Sequence, residues 1–218
     1  MHLILVLIVA GLVGAFIVAV VYFSVQSLSQ GAVLADPLPL SRLKDHIDRD
    51  VAVRGSPEVE GGQMGPFGFP VIWYKVISQV YHSGHRNSGW RTVSTRERHH
   101  TFFLHFPDGG RVNVSGKPSE VHGAHSRTDG GGWLAAHGQR RTIHKWLPVT
   151  GELTVMGKLG LSTRKGATLM PSKKLGLLFT TAPPEKAAFR ERLKGWGGLA
   201  ASAGLAAGGV ALILAVVG

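Results

Sequence analysis

The sequence predicts a mainly β protein, with a small antiparallel β-barrel or sandwich domain flanked by two transmembrane α-helices. Three observations support this prediction. Two uncharged apolar stretches, residues 3–23 and 196–217, lie near the two ends of the 218-residue chain. Between them, short segments alternate apolar and polar residues, as half-buried strands do. Turns rich in glycine separate these segments, which is typical of small β domains.

The first apolar stretch, residues 3–23, is predicted to be a permanent membrane anchor. At 1.5 Å per residue it spans roughly 30 Å, the thickness of a bilayer's hydrocarbon core. A cleaved signal peptide would begin with a basic segment, whereas only Met1 and His2 precede this stretch. The second predicted membrane helix, residues 196–217, follows a basic amphipathic juxtamembrane segment, residues 183–195. Trp196 stands between the two like an interfacial anchor.

Small residues recur at four-residue spacing in both apolar stretches. Gly11, Ala15 and Ala19 form such a series in the first stretch, and Gly204 and Gly208 form one in the second. Small side chains allow helix backbones to approach closely in lipid. The spacing therefore predicts that the two helices pair, and it leaves open a homo-oligomer formed through the same faces.

The intervening chain divides into a linker with a short helix, residues 24–44, and a β domain, residues 45–182. Ser41 is the predicted N-cap of the short helix. Residues 117–141 contain three consecutive glycines and few apolar residues, so we expect an exposed insertion there. The predicted strands are 51–55, 71–82, 90–95, 101–106, 111–114, 152–158 and 175–180. The predicted core includes Val53, Tyr74, Val76, Phe102, Leu104, Val112, Val114 and Val155.

Five segments, taken in order, resemble the GIDE or "beside a membrane" domain family: 72–75, 89–94, 102–104, 108–114 and 147–157. A helix before the domain and another after it are also features of that family. The resemblance implies a relative of the two-pass mitochondrial E3 ubiquitin ligases, whose catalytic RING domain follows the second helix. A RING needs thiolate zinc ligands, and this sequence contains no cysteine. We therefore expect a RING-less form, which we associate with bacteria and archaea.

Histidines are the only candidate metal ligands that the sequence suggests. Two pairs have the same spacing, His82 with His85 and His122 with His125, and three more occur nearby: His99, His100 and His105. Neutral imidazoles bind Zn²⁺ and Cu²⁺. Both pairs, however, fall in predicted loops, which fix no ligand geometry. We therefore expect no metal or cofactor, and the sequence nominates no catalytic residue.

The formal net charge of +11 is consistent with an acidic partner, nucleic acid or anionic lipid, and equally with a topological role of basic residues beside membrane helices. Basic residues are spread over predicted strands and loops: Lys75, Arg86, Arg91, Arg96, Arg98, Arg111, Arg140, Arg141, Lys145, Lys158, Arg164, Lys165, Lys173 and Lys174. Nucleic acid is disfavoured, because the neighbouring aromatics alternate as core residues do. For a domain tethered at both ends to a bilayer, lipid headgroups are the nearer target. Trp90 and Arg91 are assigned structural roles, the tryptophan closing the barrel and the arginine bonding carbonyls at strand ends.

These observations predict a non-catalytic membrane-surface adaptor or scaffold that binds protein or anionic lipid. The alternative is a ubiquitin-ligase-family protein by resemblance alone, or a metal-dependent activity based on the histidines. The expected location is a bacterial inner membrane. The excess of Lys and Arg on the domain side of both helices favours the cytoplasm for the central domain.

Overall fold

A computed structural model describes residues 2–59, 68–84, 87–132, 135–162 and 166–217, with side chains between residues 11 and 208. The chain divides into two compact units. The helical unit combines the residues before Pro37 with those after Pro183, and the β domain is Pro37–Pro183.

The helical unit consists of two long helices, α1 (His2–Ala35) and α2 (Pro184–Val217). Helix α1 continues twelve residues past the predicted end of the first span, so the first part of the predicted linker is helical. The juxtamembrane segment 183–195 likewise belongs to the same helix as the apolar stretch that follows it. Among the described residues, one stretch, Gly11–Ala35, is long and apolar enough to cross a membrane. The second predicted span does not meet this criterion there, and the side chains of its last residues, 209–217, lie outside the description.

Helices α1 and α2 approach each other closely, but through different glycines from those predicted. A Cβ atom on Gly31 would lie 2.8 Å from Cγ of Arg192, and one on Gly195 would lie 2.8 Å from the carbonyl oxygen of Ser24. A Cβ on Gly11, Gly204 or Gly208 would meet no described atom within 4 Å. The glycines that permit the close approach therefore lie outside the two apolar stretches: Gly31 follows the first stretch and Gly195 immediately precedes the second.

The β domain begins with a short 3-10 helix, Leu40–His46, whose N-cap is Pro39 and not the predicted Ser41. Eleven strands are described after it: β1 (Asp50–Glu58), β2 (Val71–His82), β3 (Gly89–His99), β4 (Phe102–His105), β5 (Arg111–Val114), β6 (Glu120–His122), β7 (His125–Asp129), β8 (Arg140–Pro148), β9 (Leu153–Ser162), β10 (Gly166–Met170) and β11 (Leu178–Thr180). Residues 117–141 are mostly exposed or half-buried, but they contain β6, β7 and the start of β8.

Five of these strands close into a barrel. The hydrogen-bonded order is β1-β4-β5-β10-β9, and β9 pairs again with β1. Strand β1 belongs to both ends of this order, because its first half pairs with β9 and its last residues pair with β4. The change of partner falls at Gly55, where a Cβ would lie within 2.4 Å of the carbonyl oxygen of His105. Only glycine fits so close an approach of two backbones.

The barrel is antiparallel except for one pair of strands, β5 with β10. A second parallel pair, β6 with β11, extends the sheet beyond the barrel. The prediction of a wholly antiparallel domain is therefore wrong in these two places. A five-stranded Greek-key barrel in which the third and fifth strands run parallel has the connectivity of an OB-fold. A fold of this kind does not by itself determine a function.

A second sheet of four strands, in the order β3-β2-β8-β7, is built from two insertions in the barrel. The hairpin β2–β3 is inserted between β1 and β4, and the hairpin β7–β8 lies between β5 and β9. Strands β2 and β8 join the two hairpins along nine paired positions. Only the barrel-proximal ends of these strands enter the core, through Ile72 and Trp73 on β2 and Leu147 on β8. The rest of the second sheet is half-buried or exposed.

The barrel core agrees with the prediction at six of the eight positions. Val53, Phe102, Leu104, Val112, Val114 and Val155 are buried. The prediction is wrong for Tyr74 and Val76, because both are only half-buried and lie beyond the point at which β2 leaves the barrel. Phe102 packs edge-to-face on Phe179 of β11, with ring centroids 5.5 Å apart.

Candidate ligand-binding face

The second sheet has two faces, which its register defines. Residues directly opposite each other on neighbouring strands point to the same side. One row of paired residues is Arg98–Tyr74–Trp146–His125, and the next is Arg96–Val76–His144–Arg127. The third row is Ser94–Ser78–Thr142–Asp129, and the last is Arg91–Val80–Arg140. All four rows lie on one face.

We call this surface the arginine face, defined by Arg91, Arg96, Arg98, Arg127 and Arg140. The five side chains are exposed. With strands about 4.8 Å apart and rows about 7 Å apart, the face measures roughly 20 by 15 Å. Asp129 is the only acidic residue that the register places on it. The face is therefore accessible and strongly basic.

A β-bulge assembles this face. Ser78 pairs with Ser94 and Gln79 pairs with Thr92, so Val93 is an extra residue in β3. Arg91 and Arg96 are five residues apart, and an odd separation would place them on opposite faces of a regular strand. The extra residue reverses that alternation and brings Arg91 to the same side as Arg96 and Arg98.

Four of the five arginines have no ion-pair partner among the described residues: Arg91, Arg96, Arg98 and Arg140. The fifth, Arg127, donates a hydrogen bond from Nε to Oδ1 of Asp129 at 2.7 Å. The same carboxylate lies 3.4 Å from Nε2 of His144 through its other oxygen. The positive charge on β3 and at the start of β8 is thus uncompensated, whereas that on β7 is partly neutralised.

Aromatic rings on the arginine face are already engaged with other rings. Trp146 stacks on His125 at 5.7 Å between centroids and also contacts Phe69 at 6.2 Å. Tyr74, in the same row, is half-buried. The face therefore offers charge and hydroxyl groups, and little ring surface on which a flat ligand could stack.

The opposite face of the sheet has a different chemistry, because its polar groups satisfy one another. Arg141 donates a hydrogen bond from Nε to Oε1 of Gln79 at 2.7 Å, and Gln79 donates to Oγ1 of Thr92 at 3.1 Å. The guanidinium of Arg141 also lies 4.2 Å from the ring centre of Trp90, which packs edge-to-face on Tyr81. Here the arginine holds three strands together.

Glu97 fastens this opposite face to the barrel core. Its Oε1 accepts a hydrogen bond at 2.8 Å from the indole N–H of Trp73, which is almost fully buried in the core. Its Oε2 lies 3.3 Å from Nζ of Lys117 and 3.9 Å from Nζ of Lys75. Burial alone would raise the pKa of Glu97, but the bond from Trp73 and the two ammonium groups outweigh it and hold that pKa below its usual value.

The histidines considered as candidate metal ligands lie in separate places among the described residues. His82 makes an edge contact with His137 at 5.5 Å between centroids, His122 lies 3.0 Å from Glu120, and His125 stacks on Trp146. His105 lies beside Glu58 on the barrel, and His85 is outside the described residues. Burial and the adjacent His99 and Arg98 lower the pKa of His100. Within the described part of the β domain, no three His, Asp or Glu side chains place ligand atoms within 4.8 Å of one another.

The basic residues that the sequence shows as scattered are sorted by the fold into distinct environments. Arg111 lies over Phe103 at 4.4 Å, Lys158 pairs with Asp48 at 2.9 Å, and Arg54 pairs with Glu152 at 2.6 Å. Lys75 and Lys145 fall on the opposite face of the second sheet. Arg86, Arg164 and Lys165 lie outside the described residues. Arg127 was missed, because β7 was not predicted and no alternation of polar and apolar residues marks it.

The structural roles predicted for Trp90 and Arg91 are both wrong in detail. Trp90 packs on Tyr81 and Arg141 in the second sheet and does not close the barrel. Arg91 is exposed on the arginine face. The alternation of Arg96 and Arg98 in a strand was the one signal in the sequence that could have revealed this face.

Comparison of the chain with protein families, with curated proteins and with solved structures gives no match.

Proposed function

We propose that this protein is a non-catalytic adaptor or scaffold at a membrane surface, and that it binds an acidic ligand, protein or lipid, on the arginine face. The observation that carries the proposal is the set of four exposed arginines on one sheet face, none with an ion-pair partner among the described residues. Charges in such an array attract an oppositely charged surface and orient it. Three other arginines of the domain, Arg54, Arg111 and Arg141, are engaged within the fold.

The proposal includes membership of the GIDE family in a RING-less, bacterial form. Its support is the order of the five matching segments together with the helices on both sides of the domain. A thiolate zinc site of the ligase type would need cysteines, which this sequence does not contain. The resemblance therefore supports a shared architecture and not a shared chemistry.

Two membrane spans and a cytoplasmic β domain also belong to the proposal. Arg42 and Lys44 follow α1, and four basic residues of α2 precede its apolar part: Lys186, Arg190, Arg192 and Lys194. Cytoplasmic flanks of membrane helices carry such an excess of basic residues. A cysteine introduced at exposed Lys173 has no native thiol to compete with it. Labelling of this cysteine by an impermeant maleimide in cells with an intact inner membrane would contradict the cytoplasmic assignment.

Photo-crosslinking in the native membrane tests the adaptor function. A crosslinker at Ser94, at the centre of the arginine face, should capture a defined acidic protein or lipid, whereas one at Lys174 on the barrel should not. The capture should decrease when Arg91 and Arg96 are both changed to Gln, and should persist when Lys173 and Lys174 are both changed to Gln. Equal capture from both positions, or no effect of the arginine substitutions, would rule out the arginine face as the binding surface.

A further inference from the structure

We infer that the arginine face binds the phosphate groups of anionic phospholipids in the membrane that holds the helical unit. The main phosphate position is the hydroxyl row, defined as Ser94, Ser78 and Thr142. This inference rests on the proposed function and names the ligand of the same surface.

The arrangement of the rows supports a phosphate ligand. The hydroxyl row lies between the row of Arg96 and the row of Arg91 and Arg140. Each neighbouring row is about 7 Å away, which the length of an arginine side chain can span. A depression at this edge of the sheet is lined by the three hydroxyl residues and Arg140, and also by Val80, Val93 and two residues of the opposite face, Gln79 and Arg141. A phosphate there would accept bonds from hydroxyl groups below it and from guanidinium groups on both sides.

The spread of charge over the face favours a membrane over a single soluble anion. Attraction to an anionic surface decays over about 8–10 Å at physiological salt, so basic residues act together only if they reach the surface together. The four unpaired arginines lie on one face of one sheet, which places them on the same side of the domain. Each basic residue near an anionic bilayer strengthens binding about fivefold.

The covalent connections at both ends of the β domain keep it near the membrane in which the helical unit is proposed to lie. The β domain is joined to α1 at Pro37 and to α2 at Pro183, so both of its ends are tethered to helices of the helical unit. A tether turns a weak encounter into an intramolecular one with a high effective concentration. Weak individual headgroup contacts are then sufficient.

The remaining features of the face disfavour other macromolecules. Single-stranded nucleic acid needs exposed rings for stacking, but Trp146 is occupied by His125 and Phe69. Protein interfaces usually bury large apolar or aromatic anchors at their centre. Val76 and Val80, at the centre of this face, are half-buried, and the exposed Val93 at the bulge is a single apolar side chain and no large anchor.

The test uses the full chain reconstituted in nanodiscs of phosphatidylcholine alone, titrated with separate vesicles. Vesicles containing about one third phosphatidylglycerol should bind, vesicles of phosphatidylcholine should not, and added salt should weaken binding. The double variant R91Q/R96Q should bind about 25-fold more weakly, because two basic contacts are lost. The matched control K173Q/K174Q removes the same charge from an exposed turn of the barrel and should bind like the wild type.

Three further measurements separate the possible outcomes. S94A should weaken vesicle binding severalfold with all arginines in place, because it removes a hydroxyl at the proposed phosphate position. Full competition by millimolar inorganic phosphate would indicate a site for one soluble anion and overturn the lipid assignment. Tighter, arginine-dependent binding of oligodeoxythymidine than of vesicles would replace it with nucleic acid.

The two proposals fail in different ways. If R91Q/R96Q and K173Q/K174Q bind vesicles equally but R91Q/R96Q loses its cross-linked protein partners, the lipid inference fails and the adaptor function stands. If neither vesicle binding nor crosslinking depends on the arginines, both fail. Thermal unfolding of R91Q/R96Q in detergent should match that of the wild type, which would exclude misfolding as the cause of weaker binding.

Discussion

The two faces of the second sheet carry similar residues and use them in opposite ways. On one face Arg141 is bound to Gln79 and lies over Trp90. On the other face Arg140, its neighbour in the same strand, is exposed and has no ion-pair partner among the described residues. A guanidinium with satisfied contacts stabilises the sheet, whereas one without them remains available to a ligand. The position of an arginine relative to the strand pleat therefore decides whether it acts in folding or in binding.

The largest effect on stability is expected at Glu97, on the opposite face. Changing Glu97 to Ala removes the acceptor of the buried Trp73 N–H. An unsatisfied buried donor costs about 2 kcal/mol, so thermal unfolding in detergent should shift markedly to lower temperature. Glu97→Gln retains an oxygen acceptor and should lose less. Equal losses in the two variants would mean that charge, and not the hydrogen bond, holds Trp73.

The adjacent pair Arg140 and Arg141 provides the sharpest comparison of the faces. Arg141→Ala removes the bond to Gln79 and the contact with Trp90, and should cost about 1–2 kcal/mol of unfolding free energy. Arg140→Ala should change it by less than about 0.5 kcal/mol. Each variant loses one positive charge from the same strand, so net charge is controlled. A destabilisation of Arg140→Ala as large as that of Arg141→Ala would abolish the distinction between the faces.

Removing the one acid on the arginine face should strengthen binding. Asp129→Asn deletes the negative charge that closes the hydroxyl row on β7 and releases Arg127. Binding to anionic vesicles should increase up to about fivefold, by the same arithmetic that applies to an added basic residue. Asp108→Asn, in the exposed turn between β4 and β5, is the control and should leave binding unchanged. Weaker binding by Asp129→Asn would indicate that the carboxylate positions Arg127 for the ligand.

The smallest expected effect is the pH dependence of stability due to Glu97. Its pKa in the folded protein lies below the ordinary value of 4.5. Its contribution is therefore complete above that value and is lost as pH falls through the lower, folded-state pKa, because the unfolded chain takes up the proton first. Protonated Glu97 still accepts the bond from Trp73, so the loss should be smaller than in Glu97→Ala. Wild type and Glu97→Gln should converge in stability at acid pH, and parallel pH profiles would contradict this.

Several strands of the fold can be predicted from local sequence patterns. Val71–His82 and Arg111–Val114 have the bounds that alternation predicts, and the register of Phe102 and Leu104 toward the core is confirmed. Alternation identifies β5 because Val112 and Val114 share a buried face. In β2 the alternating apolar residues beyond Trp73 are only half-buried, so the strand was predicted correctly but its burial was not. Strands β6, β7, β8 and β10 were not predicted. Every residue of β7 is polar, so no apolar alternation marks it, and β6 and β10 are only three and five residues long.

The candidate site was less predictable than the fold. The basic residues were visible in the sequence, but their distribution over two faces was not. It depends on the bulge at Val93 and on the pairing of β2 with β8, which come from two separate insertions. The pattern of apolar and polar residues within β2 or within β8 does not indicate that the two strands pair with each other.

The sequence by itself determined the β class, the apolar N-terminal helix, the positive charge and the absence of any thiolate site. Each of these follows from amino-acid composition or from the pattern of apolar and polar residues within a single strand or helix. Tertiary structure alone decided that Gly31 and Gly195 permit the close helix approach, that β1 changes partner at Gly55 and that four arginines share one unpaired face. These features depend on which distant segments lie side by side, and a side chain's surroundings come from residues that its own local sequence does not contain.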